Sequence, residues 1–410
     1  MSRNLSTDAL AINGGVPVRT AEFPSWPPAP SAKTEAVVLD ILRSGKWGAN
    51  QGHHVNAFAE RFAKSQGAEH GICVANGTVS LVAALKGLGV GPGDEIIVPP
   101  YTFIATVTAV LITGAVPVFA DICADTLLID PASIRERITE RTKVVIPVYL
   151  AGSVADLDAI MEICRPLGIK VLADAAQAHG AKWRGVPAAG VTDLASFSFQ
   201  ASKNMSAGEG GAVISNDQAL IDQVWSVANV GRRRDGGWYE HPNVGWNLRM
   251  TEVQAALLDA QLDELDEYTA RREASARAFT AKLSANGIGL NPVAVEEGMT
   301  QHGWHLYMTT YDAQAFGGWS RDSVVAALNA EGVPALAGYP LLNTHPTITS
   351  AVAELTSGVL PAHCPIAEET SSQVIWFSHH ILLGTDQDLD QIIEALAKVQ
   401  SAAANGRSSN

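Results

Sequence analysis

Between residues 72 and 215, short runs rich in Val, Ile and Leu alternate with longer stretches of helical spacing, and this alternation limits the fold more than any other feature. The runs 72–74, 95–98, 116–120, 144–148 and 170–173 have the length and β-branched content of strands, while 79–88, 104–112, 131–138 and 157–167 have helical spacing. Strands that are apolar on both sides cannot lie against water, so both faces of their sheet must be covered. The pattern therefore predicts an α/β fold with a mostly parallel sheet between helical layers. Two more strand candidates, 196–199 and 212–215, precede a helix at 218–227 and an irregular Gly-, Arg- and Trp-rich loop that runs to Asn247.

The flanks read differently. Four prolines within 23–30 exclude a regular helix and predict an extended arm, followed by helical patterns at 33–43 and 55–66. Apolar positions recur at helical spacing from 252 to 283, which predicts one long bridging helix. Beyond it, a strand at 306–311 and helices at 321–331 and 386–400 suit a small α/β domain. The expected organisation is an N-terminal arm over 1–30, a large domain over 31–250, a bridging helix and small domain over 251–400, and a disordered polar tail over 401–410.

Charge and cysteine usage exclude several classes of function. With 28 Lys plus Arg against 42 Asp plus Glu, the net charge of -14 repels polyanions, so neither nucleic acid nor a membrane surface is an expected partner. Cys73, Cys123, Cys164 and Cys364 form no close pair, which suits a reducing compartment and no zinc site. No apolar run approaches the roughly 20 residues that a membrane span needs, no signal peptide is readable, and a cytoplasmic location is expected. His53 and His54, like His379 and His380, are sequence neighbours that do not face one site, and no metal is expected. Gly87, Gly89, Gly91 and Gly93 flank Pro92 and lie before a strand, so they read as a turn and not as a dinucleotide loop.

The chemistry concentrates between 171 and 211. The run 171–174 places Asp174 at the end of an apolar strand, where an α/β sheet opens toward its ligand crevice. A carboxylate buried there needs a partner. A second strand, which carries Ser198 and runs through Phe199, leads to Lys203 and the run Gly208, Glu209, Gly210, Gly211. Taken singly, Lys203 reads as a surface lysine and Asp174 as a helix cap. Taken together they suit pyridoxal phosphate, which needs a lysine amine, a carboxylate that keeps the pyridine nitrogen protonated, and donors for its phosphate. Asn76, Gly77 and Thr78 stand between a strand and a helix start, where backbone N–H groups attract a phosphate, although a plain N-cap explains the same residues. Phe103, after the strand 95–98, offers a ring to stack on the pyridine; by itself it reads as core.

On these motifs, together with 99–103, 174–180 and 245–250, the chain resembles the DegT/DnrJ/EryC1/StrS family of sugar and cyclitol aminotransferases over about residues 12 to 398. The resemblance implies fold type I of the pyridoxal phosphate enzymes, similar to aspartate aminotransferase. It makes Lys203 the lysine that binds the cofactor and later carries the proton of the transfer. It assigns Asp174 to the pyridine nitrogen, Gln177 to the ring oxygen, Phe103 to ring stacking, and Gly77, Thr78 and Ser198 to the phosphate. Asn247 would reach that phosphate from the other subunit of a homodimer. Lys203 stands where sugar dehydratases of the family carry His, which favours transamination. Gln200 in place of an aromatic residue, Val230, Gly231 and Arg232 in place of an Asp-His-Gly loop, and the 23–27 arm resemble the glutamine-dependent scyllo-inosose aminotransferases and 3-amino-5-hydroxybenzoate synthases. The implied reaction moves the amino group of L-glutamine or L-glutamate to a cyclitol or related cyclic ketone, a step of antibiotic biosynthesis. A nucleotide-ketosugar aminotransferase and a non-catalytic regulatory protein that binds the cofactor are the alternatives. Tyr149 replaces a usual His, and the pair Leu127, Leu128 replaces Tyr-Asn. Arg232, Arg233 and Arg234 read either as a substrate anion site or as a solvated basic loop.

Overall fold

In the computed structural model, which describes residues 9–406, adjacent strand residues point into two separate cores. Ile72, Val74, Leu172 and Val213 face one apolar layer, while their neighbours Cys73, Ala173, Ala212 and Ile214 face another. This is the both-sided burial that the run composition predicts. Seven strands form the central sheet in the spatial order Val116–Phe119, Glu95–Val98, Thr142–Val145, Lys170–Asp174, Leu194–Ser198, Gly211–Ser215 and His70–Val74. The first five run parallel, and Gly211–Ser215 runs antiparallel to both of its neighbours. One face holds an aromatic cluster of Phe58, Phe62, Phe197 and Phe199 with His179 among the rings.

Several helices begin where the sequence supplies a cap. The Ser31 side chain accepts from the Thr34 N–H ahead of Ala32–Ser44, and Asn76 accepts from Val79 ahead of Gly77–Gly87. Helix His54–Ser65 is capped from far away: the buried Glu252 carboxylate accepts the N–H groups of His54 and Val55. Contrary to the expectation for sequence neighbours, His53 and His54 do face one point: their ligand atoms and those of Glu252 lie close enough together for a metal ion, while both Glu252 oxygens accept from the helix they cap.

The long bridging helix does not run unbroken. It divides into Glu252–Leu262 and Leu265–Ala285 at Asp263 and Glu264. Asp259 and Asp263 both pair with Arg61 on a facing helix, and Leu265 turns into the core. Apolar periodicity persists through the break, so spacing could not reveal it. A second sheet, ordered Leu290–Pro292, Leu306–Tyr311, Val374–Ser378 and Ala335–Leu336, is wholly antiparallel. Phe279, Tyr307, Phe377 and Leu396 form its core. The last helix, Asp386–Ala404, continues past the expected end at Gln400, and Ala402 and Ala403 are buried. The first residues of the expected tail are therefore structured, and 407–410 lie outside the described residues. Of the expected arm, residues 1–8 also lie outside them; 10–26 are docked by buried side chains, and no described helix is long and apolar enough to cross a membrane.

Candidate active site

The candidate site lies at the ends of four sheet strands and opens beneath the second sheet. A cavity of about 1040 Å3 there is lined by Gly77, Thr78, Phe103, Asp174, Gln177, Ser198 and Lys203, seven of the eight residues singled out from sequence. The eighth, Asn247, is exposed and outside the cavity, where its backbone bridges to Asn229.

The end formed by the large sheet is built for an anion. Asn76 caps helix Gly77–Gly87 through Val79, and Ser80 N–H bonds the Asn76 carbonyl. The Gly77 and Thr78 N–H groups donate to no protein group among the described residues, and both residues line the cavity. Free N–H groups in the first turn of a helix, with its dipole behind them, favour a phosphate. Gly77 is required: a Cβ there would lie 2.6 Å from the Ser198 Cβ and 2.9 Å from its hydroxyl. The helix start and the Ser198 hydroxyl are thereby held together as one cradle.

Deeper in, Asp174 is 6% exposed; its carboxylate accepts from the Thr106 hydroxyl at 2.7 Å and the Ala176 N–H at 3.3 Å. Burial raises its pKa above the ordinary carboxylate value, against the pull of those bonds and of Lys203. A carboxylate so placed is completed by a cationic N–H. Burial acts oppositely on Lys203 and pushes its amine down to about 8, with Asp174 opposing the fall. A neutral amine, the nucleophilic form, is thus accessible near neutral pH. His179, His305 and His379 are all held far below the ordinary imidazole range, first by burial and also by nearby cations. They stay neutral. Gln177 is oriented by its own bonds, since its carbonyl accepts the Ala151 N–H at 2.7 Å and its amide donates to the Tyr339 hydroxyl at 3.2 Å. A phosphorylated pyridine aldehyde fits this donor set: free N–H groups and hydroxyls at one end, a buried acid at the other, and a desolvated lysine between the strands.

Several lining residues had no signal in the sequence. Tyr339 and Trp376 meet edge to face at 4.4 Å, and Tyr339 also lies 6.1 Å from the Phe103 ring. Tyr339 belongs to an irregular segment and Trp376 to a strand that spacing did not reveal. Gln200 lines the cavity, and its carbonyl accepts both the N–H and the hydroxyl of Ser202 at 2.8 Å. Tyr149 is buried and its hydroxyl donates to the Ala188 carbonyl at 3.3 Å, away from the cavity. The three arginines of the basic loop are engaged locally. Arg232 stacks on Trp238, Arg233 pairs with Glu240, and Arg234 pairs with Asp222. None lines the cavity.

Known proteins are similar to this chain over nearly its whole length. An L-glutamine:2-deoxy-scyllo-inosose aminotransferase from Streptoalloteichus tenebrarius is 36% identical over 419 residues, covering 95% of this chain and 97% of the relative. The crystal structure of 3-amino-5-hydroxybenzoic acid (AHBA) synthase superposes with a TM-score of 0.85 at 33% identity, covering 93% of this chain and all of that one. DesI, solved in the presence of its TDP-sugar product, gives 0.84 at 28% identity and covers 98% of each chain. The seven-stranded sheet with its one antiparallel strand is that of the pyridoxal phosphate enzymes of fold type I. Residues 30–397 match the sequence profile of the DegT/DnrJ/EryC1/StrS aminotransferase family, a span that takes in every strand and helix delivering a cofactor-end residue to the cavity, and the chain belongs to that family.

Proposed function

We propose that the protein moves the amino group of L-glutamine or L-glutamate to the ketone of a cyclitol resembling scyllo-inosose, with pyridoxal phosphate as cofactor. The observation that carries the reading is the pairing, in one cavity, of a desolvated Lys203 with a buried Asp174 at the far end from two unbonded helix N–H groups. When bound, the cofactor supplies an aldehyde carbon for the amine and a ring that accepts electrons. Gly77 and Thr78 N–H and the Ser198 hydroxyl hold the phosphate, and Asp174 keeps a proton on the ring nitrogen. Phe103 covers a ring face and Gln177 meets the ring oxygen. Lys203 Nζ would hold the aldehyde carbon until the donor amine takes its place, and the freed lysine amine would then take the proton from the donor's α-carbon and deliver it to that former aldehyde carbon.

Two features support an uncharged cyclic acceptor. Among the described residues lining the cavity, Lys203 is the one lysine and there is no arginine, whereas a nucleotide diphosphate calls for such cations. Tyr339 and Trp376 offer flat apolar faces to a cyclohexane ring, with hydroxyl and amide groups around them. The DesI likeness keeps the nucleotide-ketosugar reading as the rival. We place Asn247 in the other subunit's site of a homodimer. Support comes from its position outside its own cavity and from the exposed apolar surface of Phe103, Trp238, Tyr239, Val244 and Trp246. The four free cysteines support a cytoplasmic location. The cofactor-loaded protein, given L-glutamine with either 2-deoxy-scyllo-inosose or a TDP-ketosugar, is expected to form the aminocyclitol by mass spectrometry. Turnover of the TDP-ketosugar alone contradicts the acceptor assignment, and turnover of neither contradicts the aminotransferase reading in favour of a regulatory protein.

A further inference from the structure

The tryptophan of the proline-rich arm is carried to the reacting lysine. Its Nε1–H donates to the Lys203 carbonyl at 2.7 Å, and the ring forms part of the cavity wall. The arm is anchored well before this point. Arg19, 4% exposed, donates to Asp388 and Gln391 and stacks over Phe23, while the fully buried Glu331 accepts from the N–H groups of Ala11 and Val18 and pairs with Lys398. The indole is then enclosed by three groups. Tyr268 meets it edge-on at 5.4 Å, His379 edge-on at 4.9 Å, and the Arg272 guanidinium carbon lies 4.8 Å from the ring centroid.

Arg272 is completely buried, and its guanidinium nitrogens meet no acceptor among the described residues. A desolvated cation without an anion is costly, and the aromatic faces of Trp26 and Tyr268 are the groups that compensate it. A carboxylate in place of Tyr268 would pair with Arg272 but would also compete for the indole N–H. The aromatic partner leaves that N–H for Lys203. His379 repeats the device one residue earlier: its Nε2 lies 3.1 Å from the Ser202 carbonyl, which only accepts, so Nε2 carries the proton.

We propose that Trp26 is a positioning residue for Lys203: its N–H, with the His379 ring against it, fixes the two peptide units that present the reacting amine, and Arg272 fixes the indole. The proposal rests on Lys203 being the amine that takes the cofactor. Lys203 of the cofactor-free protein can be labelled with a small amine reagent across a pH series and read by peptide mass spectrometry. Replacing Trp26 by benzothienylalanine keeps the ring over Arg272 and removes only the N–H; Trp26→Phe serves as a second variant, with thermal melts confirming folding. Water then reaches the loosened loop, the labelling midpoint rises toward that of an ordinary lysine, and the rate at pH 7.5 falls about three- to tenfold. In the loaded enzyme kcat falls while the donor KM changes less than about twofold. Unchanged midpoint and unchanged kcat in both folded variants overturn the proposal. A cofactor bound to another lysine in the unaltered protein would instead overturn the functional reading on which it rests.

Discussion

The two ends of the cavity are built in different ways. At the end we propose for the cofactor, Asp174 and Ser198 are the last residues of two strands of one sheet, and Gly77, Phe103 and Lys203 each follow closely on such a strand. At the end we propose for the acceptor, Tyr339 and Trp376 come from the second sheet and its connections, while Trp26 of the arm reaches across to the Lys203 carbonyl. The bonds that join the ends span 162 residues between Gln177 and Tyr339 and 177 between Trp26 and Lys203. The difference teaches that the residues proposed for the chemistry stand at or just beyond strand ends, whereas those proposed for acceptor choice come from a second layer that settles over them. Changes at the cofactor end should abolish both half reactions, and changes at the acceptor end should spare the donor half.

The largest effect is expected at Lys203. Lys203→Ala should lower turnover by at least about a thousandfold in both half reactions and remove the visible absorption of the loaded protein. Asp174→Asn should cost about a hundredfold or more in both halves, since the group that holds the ring nitrogen's proton is lost. The same variant has a signed effect in the cofactor-free protein. Burial holds the Lys203 amine near 8 while Asp174 opposes the fall, so labelling in the unaltered protein should rise with pH through about 8, and removing the carboxylate should move that midpoint lower. A midpoint at the ordinary lysine value of 10.5 would show that Lys203 is solvated.

At the acceptor end, Tyr339→Phe removes one hydroxyl, the partner of the Gln177 amide. It should raise the acceptor KM about three- to tenfold and leave the donor half reaction, followed by absorbance in single turnover, near its original rate. An equal loss in both halves would merge the two ends that the comparison separates. Smallest is the expected effect of Glu252→Gln, which weakens the remote cap of helix His54–Ser65 beneath the cofactor end. It should lower stability by about 1 kcal/mol in urea unfolding with no change in acceptor preference.

What the sequence made legible follows the same division. Strand ends were readable because a short, largely apolar run that leads to Asp174 or Ser198 carries both its conformation and its chemistry in adjacent residues. The break at Asp263 was not readable, because helical periodicity continues across it while the partner of Asp259 and Asp263, Arg61, lies about 200 residues away. Trp376 was missed because Val374–Ser378 is short and pairs on both sides with strands distant in sequence. Tyr339 lies in irregular backbone, where no period exists to read. The basic loop was open to two readings, an anion site or a solvated loop; its arginines are engaged by Trp238, Glu240 and Asp222 outside the cavity.

The central claim is that Lys203 is the residue to which the cofactor attaches in this cavity. Reducing the pyridoxal phosphate-loaded protein with borohydride and mapping the added mass by peptide sequencing tests it most directly. The account predicts one pyridoxyl group per chain, on Lys203, and none when the protein is first converted by L-glutamine. A label on another lysine, or a loaded protein that borohydride does not label at all, would contradict it.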